Sequence, residues 1–157
     1  MALKNIILSF LILLSFLILY LYTLTTTEQP SFFGRSSHFR FYWQDVVSGA
    51  NPTAIQVIPP LPKFNTTTTF GLVRMIDNAL TSGPELSSNL VGRAQGFYAS
   101  ESQTEFSFLM IQNFVFLEGV YNGSYITIMG RNPVMQKVRE FPVVGGSGLF
   151  RLAKGYA

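Results

Sequence analysis

Between Glu105 and Leu117 the chain has no helical period; it alternates at period two and is apolar on both sides. One face reads Phe106, Phe108, Met110, Gln112, Phe114 and Phe116, the other Ser107, Leu109, Ile111, Asn113, Val115 and Leu117. Successive side chains of a strand point to opposite faces, so both faces of this strand must be covered. A curled sheet does so when one face lines its interior and the other meets a second chain, which makes a homo-oligomer the expectation. Gln112 and Asn113 interrupt the apolar rows, and interior amides with satisfied hydrogen bonds are expected there rather than contacts to a ligand.

The rest of the chain from Phe39 onward repeats this behaviour in shorter pieces. Phe39–Val47, Thr53–Ile58, Thr69–Asp77, Val91–Ser100, Ser124–Gly130, Gln136–Val144 and Leu149–Ala157 complete a set of eight strand candidates. Pro59, Pro60 and Pro62 end the second, and 78–89 reads as a long Gly/Pro/Ser loop. Gly145-Gly146-Ser147-Gly148 reads as a tight turn that needs positive φ. Many short strands, rich in Phe, Tyr, Val, Ile and Thr and broken by turn residues, predict one all-β domain, a sandwich or a barrel.

Ahead of this domain, Met1–Lys4 and the apolar run Ile6–Tyr22 have the layout of a secretory signal peptide. No clear small-x-small cleavage site follows in Thr23–Thr27, so an uncleaved membrane anchor remains the alternative. The organisation expected is a signal peptide or signal anchor at 1–27, a mobile lead-in at 28–38 and the β domain at 39–157. Without the leader the basic residues number ten against eight acidic ones, a net charge of +2 with no basic stripe, which argues against a nucleic-acid partner. Asn65-Thr66-Thr67 and Asn122-Gly123-Ser124 are candidate glycosylation sequons in a secreted chain, with Asn122 favoured because Asn-Gly also marks an exposed hairpin turn.

The chemistry available is narrow. With no cysteine there is no disulfide framework, thiolate metal site or cysteine nucleophile, and the single His38 provides neither a metal cluster nor a serine triad. No Gly-rich loop opens a helix, so no nucleotide cofactor is expected, and nothing here moves electrons unaided. What stands out is Phe39–Val47, FRFYWQDVV, in which Phe39, Phe41, Trp43 and Asp45 share one strand face. A carboxylate in apolar surroundings is either paired or held neutral by a raised pKa, and a neutral acid can donate a proton to a bound molecule. An Asp capped by backbone amides at a strand end is the other reading of the same residue.

FYWQDVVSG at 41–49, FGLVRMIDNALTSGPE at 70–85, VGRAQGFYAS at 91–100, YNGSYITIMGRNPV at 121–134 and KVREFPVVGGSGLFRLAKGYA at 137–157 together resemble the plant dirigent family. The resemblance covers nearly everything after residue 38. It implies a secreted, antiparallel eight-stranded β-barrel of the kind shared with allene oxide cyclases, usually a homotrimer, in the apoplast or cell wall. It implies binding of phenoxy radicals or quinone methides, with control over the stereochemistry of their coupling or cyclisation in lignan and lignin-related phenylpropanoid metabolism or plant defence. A separate laccase or peroxidase supplies the radicals. Family members continue beyond the last strand predicted here to a closing one, so a C-terminally truncated barrel is expected.

Position by position, the resemblance makes Asp45 a proton donor in the cavity and Arg139 a rim residue that orients substrate. Tyr98 becomes a phenol-binding pocket residue, with Phe41 and Trp43 beside it. Asn132, in Gly130-Arg131-Asn132-Pro133, stands where lignan-forming members carry a second acid; it keeps a hydrogen bond but donates no carboxylic proton, which points to the dirigent-like subgroup with this motif. Gln44 replaces a frequent His, and Asn78 replaces the second residue of a usual Asp-Asp pair. Bland roles stand beside these: a buried Tyr98 with a satisfied hydroxyl, and Arg139 in an ion pair with Glu140 or Asp77. A non-catalytic barrel that carries aromatic ligands, or an inactive anchored wall protein, is the alternative function.

Overall fold

The computed structural model describes residues 13–18, 20 and 36–157. Residues 13–18 and 20 are helical, and among the described residues no helix is long and apolar enough to cross a membrane. Most of the leader and lead-in expected at 1–38 lies outside the described residues. Phe39–Ala157 form one compact unit.

That unit is an antiparallel sheet of eight strands: β1 (Tyr42–Gln44), β2 (Ala54–Ile58), β3 (Val73–Thr81), β4 (Leu90–Ser100), β5 (Ser107–Phe116), β6 (Tyr125–Pro133), β7 (Pro142–Ser147) and β8 (Gly155–Tyr156). Their order is β1-β3-β4-β5-β6-β7-β8, with β2 also on β3. The all-β, antiparallel architecture expected from the sequence is therefore present, as a sheet curled into a half-barrel; among the described residues no pairing joins β8 to β1 or β2.

β1 and β2 lie along the same edge of β3. Trp43 pairs with Leu80 and Ala54 with Ile76, so the two behave as one strand interrupted by the excursion from Asp45 to Thr53. The carbonyl of Val46 closes the excursion by accepting from the N–H groups of Thr53 and Ala54 at 2.8 and 3.1 Å.

Alternation along β3 to β6 sorts side chains as the sequence requires. Ile76, Asn78 and Leu80 of β3, Ala94 and Tyr98 of β4, Met110, Gln112, Phe114 and Phe116 of β5, and Ile126, Ile128 and Asn132 of β6 are buried on the concave face. Curling brings the sheet's first edge over its middle: Phe41 lies edge-on to Phe114 at 5.3 Å between ring centroids, and Trp43 to the same ring at 5.9 Å. Phe39, Phe116, Tyr121 and Phe150 continue the aromatic packing, with Phe39 5.1 Å from Tyr121 and Phe116 5.3 Å from Phe150. Fully burying a side chain such as Leu80 or Ile128 stabilises by roughly 1.5–3 kcal/mol, and each is completely inaccessible.

At Gly96 the pairing of β4 with β5 leaves no room for a side chain. The φ of this residue is +155°, and a Cβ there would meet the Ile111 carbonyl at 2.2 Å and the Gln112 Cα at 2.9 Å, so no other residue fits without moving backbone.

Several predicted boundaries shift. β3 runs on through Asn78 to Thr81 rather than stopping at Asp77, because Asn78 and Leu80 are buried inward, Thr81 is buried beside Gln44, and only 82–89 forms the connection. Gln136–Glu140 alternates like a strand but lies in the loop before β7, which starts at Pro142. Gly145 and Gly146 belong to β7 rather than to a turn, and of that glycine cluster only Gly148 has positive φ. Leu149–Ala157 begins with a single 3-10 turn, Gly148–Phe150, and reaches the sheet only at Gly155.

Candidate functional site

The concave face opens into a cavity of about 510 Å³ lined by Trp43, Asp45, Met110, Asn132, Lys137, Val138, Arg139 and Phe141. A volume of this size accommodates a ligand of several rings. Two cations and one carboxylate share its wall with aromatic and aliphatic surface.

Asp45 reaches the wall because β1 ends at Gln44 and the chain then leaves the edge of β3. Departure from the sheet also exposes it: the strand pattern buries Asp45 among aromatics, whereas the structure leaves it accessible at the rim. Its position is set by a short relay of side chains. The Val46 N–H donates to Thr53 Oγ1 at 3.2 Å, Thr53 Oγ1 donates to Asn78 Oδ1 at 2.6 Å, and Asn78 Nδ2 donates to Asp45 Oδ1 at 3.0 Å. Asn78 is fully buried, so the carboxylate is held from within the sheet while its other oxygen remains available.

Across the cavity wall, Arg139 Nη1 donates to Asn132 Oδ1 at 3.3 Å. Asn132 is buried near the end of β6, and its Nδ2 contacts Met110 Sδ at 3.6 Å. Arg139 itself is exposed on the loop before β7, and its partner is this amide rather than Glu140 or Asp77. Asp77 instead accepts from Arg93 Nε at 2.5 Å, which holds its carboxyl below the ordinary value against the opposing effect of burial.

Trp43, Asp45, Asn132 and Arg139 thus converge on one cavity, while Phe41 and Tyr98 stand behind the wall. Phe41 is spent on packing against Phe114 and Phe116. Tyr98 is buried beside Met110, with its ring 5.0 Å from that of Phe108. Burial pushes the Tyr98 hydroxyl above its usual value of 10.0, the negative charge of Asp45 pushes the same way, and the facing Arg74 opposes both.

Sequence reasoning missed Met110, Lys137, Val138 and Phe141. Met110 was legible as an inward position of β5; the other three were hidden by reading 136–144 as a strand. Gln112, expected as a satisfied interior amide, is 1 % exposed, yet among the described residues neither its Oε1 nor its Nε2 has a hydrogen-bond partner. Asn113, on the opposite face, accepts from Thr127 Oγ1 at 2.7 Å. Both sequon asparagines, Asn65 and Asn122, are exposed after 3-10 turns, whereas Ser124 of the second sequon is buried and its Oγ accepts from the Leu149 N–H at 3.1 Å. Among the described residues no group of three or more His, Cys, Asp or Glu side chains forms a metal-binding cluster.

A sheet that curls around a mixed aromatic and charged cavity has clear relatives. Residues 36–157 match the family described as dirigent-like protein. Dirigent protein 7 of Arabidopsis thaliana is 52% identical over 120 residues, which cover 76% of this chain and 63% of that protein. The chain therefore spans under two thirds of that relative's length. Pterocarpan synthase 1 of Glycyrrhiza echinata is 42% identical over 151 residues, covering 92% of this chain and 80% of that protein. The solved structure of the pterocarpan synthase dirigent protein GePTS1 superposes with a TM-score of 0.70 at 45% identity, covering 74% of this chain and 67% of that one. With a family match over the whole β unit, extensive identity to several members and the same backbone course, this chain belongs to the dirigent family.

Proposed function

We propose that this chain is a secreted dirigent protein that imposes handedness on the coupling or cyclisation of phenoxy-radical or quinone methide intermediates of phenylpropanoid metabolism. It works without a redox centre of its own, beside a laccase or peroxidase, and as a homotrimer. The observation that carries this reading is the cavity of about 510 Å³ in which Asp45 and the Arg139–Asn132 pair share one wall with Trp43 and Phe141.

In the cyclisation branch the carboxyl of Asp45 passes a proton to the oxygen of a quinone methide as an internal hydroxyl attacks the methide carbon. The proton released by that hydroxyl restores the carboxyl, so the reaction is an isomerisation with no net loss of atoms. Arg139 and Lys137 stabilise negative charge on the ligand at the rim. In the coupling branch two phenoxy radicals form one bond, and the protein contributes only the faces they present to each other. Likeness to the pterocarpan synthases favours the cyclisation branch for this chain.

The test is product chirality. A phenolic alcohol is oxidised by an independent one-electron oxidant with and without the protein, and products are resolved on a chiral column. An enantiomeric excess that appears only with protein, and that Asp45→Asn abolishes while ligand affinity stays within about threefold, is the expected result. Racemic product with the unaltered chain excludes the reading for that substrate, and an Asp45→Asn variant that keeps full selectivity removes Asp45 from it.

A further inference from the structure

Two polar groups on the inner face of the sheet have no hydrogen-bond partner among the described residues. Both amide atoms of Gln112 and the Nε1 of Trp43 are buried and make no hydrogen bond to any described residue. The registers explain why Gln112 is isolated. Its neighbours on the same face are Met110 and Phe114 along β5, Gly96 opposite on β4 and Ile128 opposite on β6, none of which offers a polar side-chain atom. Trp43 comes across the interior toward this region, with its ring 5.9 Å from that of Phe114, while both Trp43 and Met110 line the cavity.

A buried amide without partners is costly, and such groups in folded proteins are few. An apolar residue at 112 would complete the core, and the sequence places there instead an amide that both donates and accepts twice over. We propose that Gln112 and Trp43 form the inner polar end of the ligand site and hold a phenolic hydroxyl of the bound aromatic, while Asp45 and Arg139 act at its outer end. This inference rests on the reading of the cavity as a site for phenolic intermediates, and gives that site a direction.

The chemistry of the two groups selects the ligand group. The indole N–H only donates, whereas the amide offers both an NH₂ and a carbonyl oxygen. A hydroxyl accepts from Trp43 Nε1 and donates to Gln112 Oε1, pairing both of these atoms. An aryl methyl ether only accepts, and leaves the amide oxygen unpaired. Discrimination between a ligand with the matching hydroxyl and one without it is large where the site's own polar groups are left stranded.

Trp43 is the only tryptophan of the chain, so its emission reports binding at this point directly. The probes are isoeugenol and its O-methyl ether, titrated into the full-length protein without any oxidant. The expected result is that isoeugenol binds roughly tenfold or more tighter than the ether, that Gln112→Met brings the ratio close to one, and that the melting temperature of this variant rises or is unchanged. A purely steric exclusion of the methyl group would persist in Gln112→Met. Equal binding of the two probes, no binding of isoeugenol, or a Gln112→Met variant that keeps the ratio while melting lower overturns the inference. Trp43→Phe, followed by calorimetry, keeps the ring and removes the N–H; it too is expected to lower the ratio, and decides the matter if Gln112→Met does not fold. Because handedness of products plays no part in these measurements, racemic products beside an intact probe ratio would count against stereochemical guidance alone.

Discussion

Asn78 donates from Nδ2 to Asp45 Oδ1 at 3.0 Å, which fastens an exposed carboxylate at the cavity rim to a completely buried side chain in the middle of β3. The same amide accepts from Thr53 on the far side of the 45–53 excursion, so one residue fixes both ends of that excursion.

Replacing Asn78 by Asp turns the donor that faces Asp45 into a second acid. A second carboxylate at this completely buried position repels that of Asp45, so Asn78→Asp should lower stability at neutral pH by more than the about 1–3 kcal/mol expected when Asn78→Ala removes the same hydrogen bonds. Denaturant titration of both variants at pH about 7 checks the order, and equal losses would contradict it.

Phe114 supports Phe41 and Trp43 across the interior, so its loss should be felt throughout the core. Phe114→Ala is expected to destabilise by about 3–5 kcal/mol in denaturant titration and to shift Trp43 emission to longer wavelength. A loss below about 1 kcal/mol would mean that the first edge of the sheet does not pack on β5 as described.

Tyr98 makes alkaline stability informative. Its hydroxyl is raised above 10.0 by burial first and by Asp45 second. In the unfolded chain it ionises at its ordinary value while the fold still demands the neutral form. The stabilisation is therefore complete below that value and disappears as pH climbs through the folded value. Tyr98→Phe should flatten the fall in melting temperature above about pH 10, and an unchanged alkaline limb would contradict the assignment.

Arg139 is exposed and bound to a neutral amide, so its removal should cost little stability. Arg139→Leu is expected to leave the melting temperature within about 2 °C, yet to weaken binding of a carboxylate-bearing phenol such as ferulate roughly tenfold at low salt. High salt should narrow that difference, because the interaction sits at a solvated rim. Titration of ferulate at two ionic strengths checks both.

Period-two patterning made much of this molecule legible. The even-numbered residues of β5 point inward as the alternation requires, and Trp43 and Asp45 line one cavity. What the pattern could not carry was how far the alternation belongs to a sheet. Lys137-Val138-Arg139 alternates as well as any strand, yet it forms the loop that supplies three cavity residues. Asp45 was read as enclosed because its neighbours are greasy, but enclosure depends on whether the strand continues, and this one stops a residue earlier. Nor could local sequence reveal that Asn78 would reach Asp45, since that contact depends on the β1–β3 register. Gln112 was misjudged for a related reason: partners of an interior amide come from adjacent strands, and those contribute glycine and apolar residues.

The break between β1 and β2 has a mechanical consequence. Asp45 sits on a detour that the β1–β3 and β2–β3 ladders bypass, and its carboxylate is aimed by a few side chains, with the Val46 carbonyl closing the detour behind it. Substitutions at Thr53 or Asn78 can therefore re-aim the Asp45 carboxylate while the main-chain ladder of the sheet stays as it is, so the position of a single charge can drift over an unchanged scaffold.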